Sequence, residues 1–523
     1  MSAARWTHVC ALEDIYPDSG VCALIEGRQV ALFRVADGIH AIGNHDPVSG
    51  ANVLARGIVG DSEGEPVVAS PLYKQHFSLV TGRCLEEPEH HVPVYLARIS
   101  AGEVWVRAQP VSIRAATAVR RLVVIGNGVA AMRTLEELVS LAPRAYAITV
   151  FGAEPHAPYN RVLLSPLLAG DRSSEELVTH TTEWFAQHGI TQHLGDPVES
   201  IDRVRRRVRA ASGAEVPYDR LLIATGSRPR LPSVPGIDLP GVVAFRDLSD
   251  VEAMLAVARP GQPAVVIGGG LLGVEAAAAL AQRGMAVTVV HAGEFLMNRQ
   301  LDNHASALVR AELEGRGIGF RLAAQTESIE GDGRVSGVRL TGGARLAATL
   351  VVTATGVRPN IDLARAAGLR CDRGILVNDT LQTYDPAIYA VGECVQHRNS
   401  TYGVVAPLWD QARVCAAYLA ERGVRRYGGS RVSAQLKVSG IQVFSAGDCS
   451  GGASRESLVM RDPKRGIYKH LVLEGGRIRG AVLYGDTADS GWYLDLINEG
   501  RDVGAMREQL LFGASPTVSG ACG

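Results

Sequence analysis

Short apolar runs separated by glycine-containing turns dominate the first hundred residues of the chain. Between Gly20 and Arg107 these runs alternate apolar with polar positions, as in VCALIEG, VALFRVADG and EVWVRA. Alternation with a period of two predicts half-buried strands, so we expect an all-β module of roughly one hundred residues here. Segment 46–64 lacks the alternation and is predicted to be a loop-rich insert.

A different pattern begins with the apolar run RLVVI, which leads into a glycine-rich turn. Gly126, Gly128 and Ala131 follow in the spacing G-x-G-x-x-A, and a helical pattern continues through 132–141. A strand that delivers this spacing to a helix start lets the backbone approach a pyrophosphate, with the positive helix end facing the negative charge. The next apolar run, ITVFGAE, ends at Glu154, an acid suited to hydrogen-bond an adenosine ribose.

The same arrangement recurs in the run AVVIGGGLLG. It carries Gly268, Gly270 and Gly273 ahead of a predicted helix at 274–283. Two such turns in one chain imply two bound nucleotides, and therefore electron transfer between them. The following strand, VTVV, ends at His291. An acid there would favour NAD and a base would favour NADP, whereas histidine is mostly uncharged at neutral pH and leaves both open.

Length and charge restrict the class of protein. A chain of 523 residues predicts roughly three or four domains. The 53 basic and 54 acidic residues leave a net charge of −1, which argues against a nucleic-acid or anionic-membrane partner. The first residues include acids and no continuous apolar core, so we expect no secretory signal and a cytoplasmic location. The most apolar run, 263–290, is interrupted by glycine and charge and is predicted to be a buried strand, helix and strand.

The eight cysteines are scattered, and none stands at C-x-C or C-x-x-C spacing from another. This excludes the local patterns of a redox disulfide, a zinc knuckle and the common iron–sulfur sites. We therefore predict no metal site.

Residues 40–87 resemble the Rieske-type fold of the small subunit of NADH-dependent nitrite reductase. Rieske modules hold their cluster with C-x-H and C-x-x-H pairs. The matching positions here are Asn44, Asp46, Ser70 and Tyr73, none of which supplies a thiolate. The resemblance therefore implies a module that has kept the fold without an iron–sulfur cluster.

The segment PYNRVLLSPLLAG, residues 158–170, resembles the flavin-binding part of the nitrite reductase large subunit. The resemblance assigns Asn160, Arg161 and Ser165 to the FAD site, and the planar cation of Arg161 suits a pyrophosphate. Disulfide reductases carry redox cysteines at this helix start, and this chain has none. Related rubredoxin and ferredoxin reductases place a lysine after the serine, whereas this chain has Pro166.

Further segments match flavoproteins that bind two dinucleotides. YDRLLIATGS and VTATGVRPN resemble the paired crossings between the FAD and NAD halves, and IYAVGEC resembles the third flavin element, with glutamate in place of the more frequent aspartate. Trp409–Leu419 is predicted to be a helix whose N-terminus could face the flavin. The resemblance adds these residues to the FAD site: Thr225, Gly226, Gly392 and Glu393. It adds Glu275 and Gly356 to the NAD(P) site, and it favours NADH at His291, with NADPH possible.

The region from Gln435 resembles the C-terminal interface domain of the same large subunit, with a two-residue hairpin loop at Gly475 and Gly476. The iron–sulfur and siroheme modules that follow in that subunit do not follow here. The predicted fold is multidomain: an all-β Rieske-like module, an α/β two-dinucleotide-binding fold of the pyridine-nucleotide-disulfide-reductase type and a small α+β domain. The predicted divisions are 1–109 (Rieske-like module), 110–120 (linker), 121–244 with 351–427 (FAD-binding domain), 245–350 (NAD(P)-binding domain), 428–512 (interface domain) and 513–523 (flexible tail).

These features predict an FAD-dependent NAD(P)H oxidoreductase. It would pass electrons from NADH to a nitrate reductase or a siroheme nitrite reductase subunit, and no side-chain acid or base is assigned to the chemistry. A rubredoxin or ferredoxin reductase, a disulfide or peroxide reductase, and a flavin-bearing interaction scaffold are the alternatives. A homodimer is suggested by analogy with the C-terminal domain.

Overall fold

The computed structural model describes residues 6–35, 38–62, 65–87, 89–111, 119–423, 425–431, 433–436, 438, 440–450, 452 and 454–514. Most of the predicted linker 110–120 and nearly all of the predicted tail 513–523 lie outside the described residues. The chain divides into two compact units. The first comprises Met1–Arg120, Glu137–Ala147 and Val414–Arg426, and the second comprises Arg121–Glu136, Ile148–Arg413 and Tyr427–Gly523.

In its described residues, the N-terminal module contains nine strands: β1 (Trp6–Ala11), β2 (Ser19–Ile25), β3 (Arg28–Val35), β4 (Gly38–Gly43), β5 (Ile58–Ser62), β6 (Glu65–Ala69), β7 (His76–Ser78), β8 (Val94–Ser100) and β9 (Glu103–Pro110). They form an antiparallel sheet in the order β1-β9-β8-β4-β3-β2 and a second sheet in the order β5-β6-β7. Successive side chains of β3 point to opposite faces of the sheet and enter two different hydrophobic cores. Val30 and Leu32 lie in one core, and Ala31 and Phe33 lie in the other. The all-β prediction is confirmed.

The predicted loop-rich insert 46–64 contains strand β5, which the sequence did not indicate. Residues IVGDS have no clear alternation, but all five pair antiparallel with β6, from Ile58 opposite Ala69 to Ser62 opposite Glu65. Pairing with a neighbouring strand therefore outweighs the weak local pattern.

The central region continues the strand series: β10 (Arg120–Ile125), β11 (Tyr146–Gly152), β12 (Thr191–Leu194), β13 (Val198–Asp202), β14 (Arg207–Ala210), β15 (Glu215–Pro217), β16 (Arg220–Ile223), β17 (Ser227–Pro229), β18 (Val242–Ala244), β19 (Pro263–Ile267), β20 (Ala286–Val290), β21 (Gly319–Arg321), β22 (Thr326–Gly331), β23 (Val335–Leu340), β24 (Arg345–Ala347), β25 (Leu350–Thr353), β26 (Val357–Pro359), β27 (Ile375–Val377), β28 (Ile388–Ala390) and β29 (Val395–His397). Its helices are α1 (Val129–Leu141), α2 (Leu164–Ala169), α3 (Thr182–Gln187), α4 (Leu248–Val257), α5 (Leu271–Gln282), α6 (Asn303–Gly315), α7 (Asp362–Ala366) and α8 (Val405–Leu419).

Two five-stranded sheets organise this region. The first has the order β12-β11-β10-β16-β28, and the second has the order β18-β25-β19-β20-β21 with parallel neighbours throughout. Each glycine turn connects a central strand to a helix, β10 to α1 and β19 to α5. The second sheet includes β18 and β25, so it extends beyond the predicted NAD(P) division of 245–350 at both ends.

The C-terminal domain adds β30 (Ser433–Gln435), β31 (Val443–Gly447), β32 (Glu456–Asp462), β33 (Ile467–Glu474), β34 (Arg477–Tyr484) and helix α9 (Ser490–Glu499). Its antiparallel sheet has the order β30-β31-β34-β33-β32. Gly475 and Gly476, with φ of +58° and +71°, join β33 to β34 as the predicted hairpin loop.

Helix α8 begins four residues before the predicted start at Trp409. The helix includes Pro407, because a proline in the first helical turn lacks only a backbone N–H that would have no partner within the helix anyway. Any charge effect of this helix therefore originates at Val405 and not at Trp409.

Candidate nucleotide-binding site

The glycines of the first turn have two separate roles. Gly126 has a φ of +108°, and a Cβ there would lie 2.2 Å from the carbonyl oxygen of Ala224, so the fold itself requires glycine. A Cβ at Gly128 would meet no described atom within 4 Å. Gly128 directly precedes α1, so the open space in front of it borders the positive end of that helix. Ala131, buried within α1, completes the predicted trio.

The second turn repeats this geometry. Gly268 has a φ of +121°, and its Cβ would lie 2.3 Å from the carbonyl oxygen of Ala354. Gly270 precedes α5, and its Cβ would have no described atom within 4 Å. A Cβ at Gly273 would lie 1.8 Å from the carbonyl oxygen of Gly268, which fixes the close packing of turn on helix. Both turns therefore offer an open approach to backbone N–H groups, as a pyrophosphate requires.

Glu154 and Arg161, predicted apart in the sequence, form an ion pair. The Tyr159 hydroxyl donates to Glu154 at 2.7 Å, and Arg161 Nη1 donates to the carbonyl oxygen of Arg246 at 3.2 Å. Burial works against the charge of Arg161, but Tyr159 and Glu154 outweigh it and raise the pKa of the guanidinium. Arg161 is thus permanently charged, and its guanidinium lies beside Glu154, the acid that follows β11. Asn160 accepts a hydrogen bond from the Val162 N–H and so caps the short turn that begins at Arg161.

A second ion pair joins Glu393 to Arg246, a residue that the sequence did not single out. The side chain of Glu393 is 12 % exposed, and it also accepts a hydrogen bond from the Ser227 hydroxyl at 2.8 Å. Arg246 stands just before α4 in the sequence FRDLSD, which carries a helix-capping signal and no nucleotide motif. The two ion pairs are neighbours, because Arg161 also donates to the Arg246 carbonyl oxygen.

The two predicted crossings pair with each other. Strands β17 and β26 are antiparallel, and the Thr225 hydroxyl donates to the carbonyl oxygen of Asn360 at 2.8 Å. The Asn360 amide returns a bond to the Thr225 carbonyl oxygen at 2.9 Å. Gly226 and Gly356 have φ of +63° and +100°, which suits the turn in each crossing. Asn360 was missed in the sequence because its partner is remote in the chain.

Gly392 is held by a helix-borne glutamine. The Gly392 N–H donates to Gln411 Oε1 at 2.8 Å, and a Cβ at Gly392 would lie 3.0 Å from the Ala130 Cβ. Gln411, on α8, is fully buried, and its Nε2 has no hydrogen-bond partner among the described residues. A buried donor of this kind is costly unless a ligand accepts from it.

Ser165 and Glu275 lie together, although they were predicted to serve different nucleotides. The Ser165 hydroxyl on α2 donates to Glu275 on α5 at 2.9 Å, and both residues are buried. Arg283 adds a second link between these helices by donating to the Leu168 carbonyl oxygen at 2.9 Å. A cavity of about 590 Å³ opens beside the Ser165–Glu275 pair. The pair therefore joins the helix after Arg161 to the helix after the second glycine turn.

His291 directly follows β20, and its ring contacts the second glycine turn. Its Nδ1 accepts a hydrogen bond from the Gly269 N–H at 3.2 Å. Burial lowers the pKa of His291, against an opposing influence of the Phe295 carbonyl group. An imidazole that accepts through Nδ1 and is desolvated is neutral at pH 7.

The matched cluster positions of the N-terminal module do not suit an iron–sulfur cluster. Asn44, Asp46 and Ser70 are buried and hydrogen-bonded to other protein groups, and Tyr73 is 65 % exposed. Rieske clusters need two thiolates and two imidazoles, and these four side chains supply neither.

Comparison with known proteins decides the family. Residues 120–416 match the pyridine nucleotide-disulphide oxidoreductase family, residues 5–107 match the Rieske-like [2Fe-2S] domain, and residues 433–501 match the C-terminal domain of rubredoxin NAD+ reductase. The chain belongs to the pyridine nucleotide-disulphide oxidoreductase family. It is therefore an NAD(P)H oxidoreductase, and membership implies binding of FAD and NAD(P)H. The predicted fold class is confirmed.

Two relatives from Bacillus subtilis (strain 168) confirm the resemblance to the nitrite reductase system. A nitrite reductase [NAD(P)H] is 44% identical over 384 residues, which are 73% of this chain and 48% of that protein. An assimilatory nitrate reductase electron transfer subunit is 40% identical over 401 residues, 77% of this chain and 52% of that protein. The chain thus spans about half the length of the curated relatives it matches.

The solved covalent putidaredoxin reductase–putidaredoxin complex is similar in fold, with a TM-score of 0.69 and 26% identity over 76% of this chain and 100% of that chain. Among the described residues, no helix combines the length and apolar character needed to cross a bilayer.

Proposed function

We propose that this chain accepts hydride from NADH and passes the electrons, through FAD, to a separate protein in assimilatory nitrate or nitrite reduction. The observation that carries the proposal is the repeated glycine turn. Gly128 and Gly270 both face open space at a helix start, while Gly126 and Gly268 are both required by the backbone. Two equivalent nucleotide sites in one chain suit transfer between two nucleotides.

The residues of the first site fit FAD. Gly126, Gly128 and the start of α1 would face the pyrophosphate, together with the cation of Arg161. Glu154 would hold the adenosine ribose, and Glu393 would hold the ribityl hydroxyls. Both acids already pair with arginines. A ligand hydroxyl that binds the acid, or a phosphate that binds the arginine, would therefore replace one polar partner by another. Bound FAD would supply hydride acceptance and release of single electrons.

The electrons would leave the chain rather than reduce a protein disulfide. Helix α2 carries Ser165 where disulfide reductases have a redox cysteine, and no residue of α2 is a cysteine. Ser165 instead binds Glu275, which ties α2 to α5. The two relatives are named for nitrite reduction and for electron transfer to nitrate reductase, and these names support such a partner here.

NADH is the proposed donor because His291 is neutral. A 2′-phosphate needs a cation at the end of β20, whereas the desolvated imidazole has no charge to offer at pH 7. Steady-state kcat/KM values for NADH and NADPH test this, and a preference for NADPH would contradict it. In His291→Arg, the ratio should shift toward NADPH.

We extend the proposal to an absence of both an iron–sulfur cluster and siroheme. The four side chains at the Rieske positions lack thiolates and imidazoles, which supports the absence of the cluster. Iron, acid-labile sulfide and visible absorbance of the purified protein measure it. Stoichiometric iron and sulfide, or a siroheme band, would refute it.

Anaerobic mixing with NADH tests the enzyme itself. Rapid bleaching of the flavin band is expected, and a flavin that stays oxidised would favour the interaction scaffold.

A second experiment identifies the acceptor. The reduced protein is mixed with a nitrate reductase, a siroheme nitrite reductase or a ferredoxin. The match of residues 433–501 to a rubredoxin reductase domain makes a small iron–sulfur protein the second candidate acceptor. If the ferredoxin is reduced and neither reductase is, the small iron–sulfur protein is the favoured acceptor. A cytoplasmic location and a homodimer remain part of the proposal.

A further inference from the structure

Two loops of the N-terminal module meet at the positions where Rieske modules place cluster ligands. One follows β4 and carries Asn44 and Asp46, and the other follows β6 and carries Ser70. Asp46 and Ser70 are both fully buried. The Ser70 hydroxyl donates to Asp46 Oδ2 at 2.6 Å, so one short hydrogen bond connects the two loops.

The Asp46 carboxylate is satisfied by four donors. Oδ1 accepts from the backbone N–H groups of Val48 and Ser49 at 2.9 and 3.3 Å. Oδ2 accepts from the hydroxyls of Ser49 and Ser70 at 2.7 and 2.6 Å. Burial raises the pKa of a carboxyl group, but these hydrogen bonds outweigh burial and leave the pKa of Asp46 below its ordinary value. The carboxylate is therefore charged at neutral pH and is stabilised by hydrogen bonds from the two loops.

Asn44, at the other position of the first loop, has likewise become a structural group. Its Nδ2 donates to Gln29 Oε1 at 2.9 Å and to the Asn52 carbonyl oxygen at 3.1 Å. Its Oδ1 accepts from the Ala55 N–H at 2.7 Å. These three bonds fix both ends of the first loop, so the hydrogen bond from Ser70 joins a second loop to an already anchored one.

We propose that the Asp46 carboxylate replaces a cluster as the cross-link between the two loops, so that the module keeps its loop arrangement without a redox group. A Rieske cluster holds its two loops through ligands from each. Here the Ser70–Asp46 bond makes the same connection. The inference rests on the proposed absence of a cluster and goes beyond electron transfer, because it assigns the module a structural device of its own.

Two serines give a matched test. Ser49 and Ser70 each donate one hydroxyl bond to Asp46 Oδ2, and each hydroxyl also lies 3.4 Å from the N–H two residues later. Only the Ser70 bond spans the two loops; the Ser49 bond stays within one. Ser70→Ala and Ser49→Ala therefore remove equivalent bonds with different connectivity.

Hydrogen–deuterium exchange of the full-length, flavin-loaded protein provides the readout. In Ser70→Ala, amide exchange in both 44–52 and 70–76 should rise by at least roughly tenfold, the lower end of what a hydrogen bond to a charged acceptor contributes. In Ser49→Ala the increase should be confined to 44–52. Flavin content and the rate of bleaching by NADH should match the unaltered protein in both variants.

The failures are distinguishable. Unchanged exchange of 44–52 in Ser70→Ala, or equal effects of both variants on 70–76, would overturn the cross-link and leave the proposed function intact. Stoichiometric iron and sulfide in the unaltered protein would overturn the cross-link together with the proposed absence of a cluster. Loss of bleaching by NADH in the unaltered protein would contradict the proposed enzyme activity alone.

Discussion

Gly270→Ala separates a glycine needed for a ligand from one needed for the fold. Gly270 has a φ of −79°, which alanine adopts without strain, and a Cβ there would have no described atom within 4 Å. Gly273 is the opposite case, since its Cβ would lie 1.8 Å from the Gly268 carbonyl oxygen. Gly270→Ala should therefore leave the protein folded and place a methyl group in the open space in front of α5.

The expected size follows from the hydrogen bonds that a pyrophosphate would make to the start of α5. A methyl group in that space would keep a phosphate oxygen from reaching the backbone N–H groups. Losing one hydrogen bond to a charged group costs about 1.5–3 kcal/mol, which is roughly a 10- to 150-fold rise in Kd for NADH. Alanine is a poorer N-cap than glycine, so the free energy of unfolding should fall by no more than about 1 kcal/mol.

Anaerobic stopped-flow bleaching of the flavin at increasing NADH concentration gives the apparent Kd, and a thermal melt gives stability. Gly315→Ala, at the end of α6, is the control because its Cβ would also have no described atom within 4 Å. We expect its Kd to be unchanged. A Gly270→Ala protein that binds NADH within twofold of the unaltered protein would refute the assignment of this turn to the nicotinamide nucleotide.

Three further predictions concern the FAD side of the chain. Gly128→Ala should fold normally but retain less FAD, measured as the ratio of flavin to protein after desalting; full flavin content would contradict the open space assigned to the pyrophosphate. Arg246→Ala leaves the mostly buried Glu393 without its cation and should cost about 3 kcal/mol of unfolding free energy in denaturant melts, with partial recovery in Arg246→Lys; a cost below about 1 kcal/mol would show that the pair is not formed. The Arg121 guanidinium, which binds both oxygens of Asp219, lowers the pKa of that carboxyl from 3.8 to about 2. Because the folded-state pKa is the lower one, Asp219 stabilises the fold above pH 3.8 and this contribution is lost as pH falls through about 2. The free energies of unfolding of Asp219→Asn and of the unaltered protein, measured at decreasing pH, should converge near pH 2. A stability difference that does not change with pH would argue against the Arg121–Asp219 pair.

Local sequence features were sufficient to predict those parts of the structure that backbone geometry determines. The glycines at 126 and 268, and the hairpin pair at 475 and 476, could be predicted because a positive φ admits few other residues. The order of strand, turn and helix followed from the apolar periods around those glycines. Even so, the sequence pattern predicted neither strand β5 nor the start of α8. Strand β5 forms by pairing with β6, and α8 begins before Pro407 because the first helical turn tolerates proline.

The tertiary structure alone decided which polar side chains meet. Arg246 and Glu393 stand far apart in the chain, as do Ser165 and Glu275, and no local spacing links them. The sequence predicted that Asp46 is not a cluster ligand, but only the fold showed that it binds the opposite loop. The physical reason is that a glycine's role is set by its own backbone angles, whereas an ion pair or buried hydrogen bond exists only when separate elements pack and remove water from both partners.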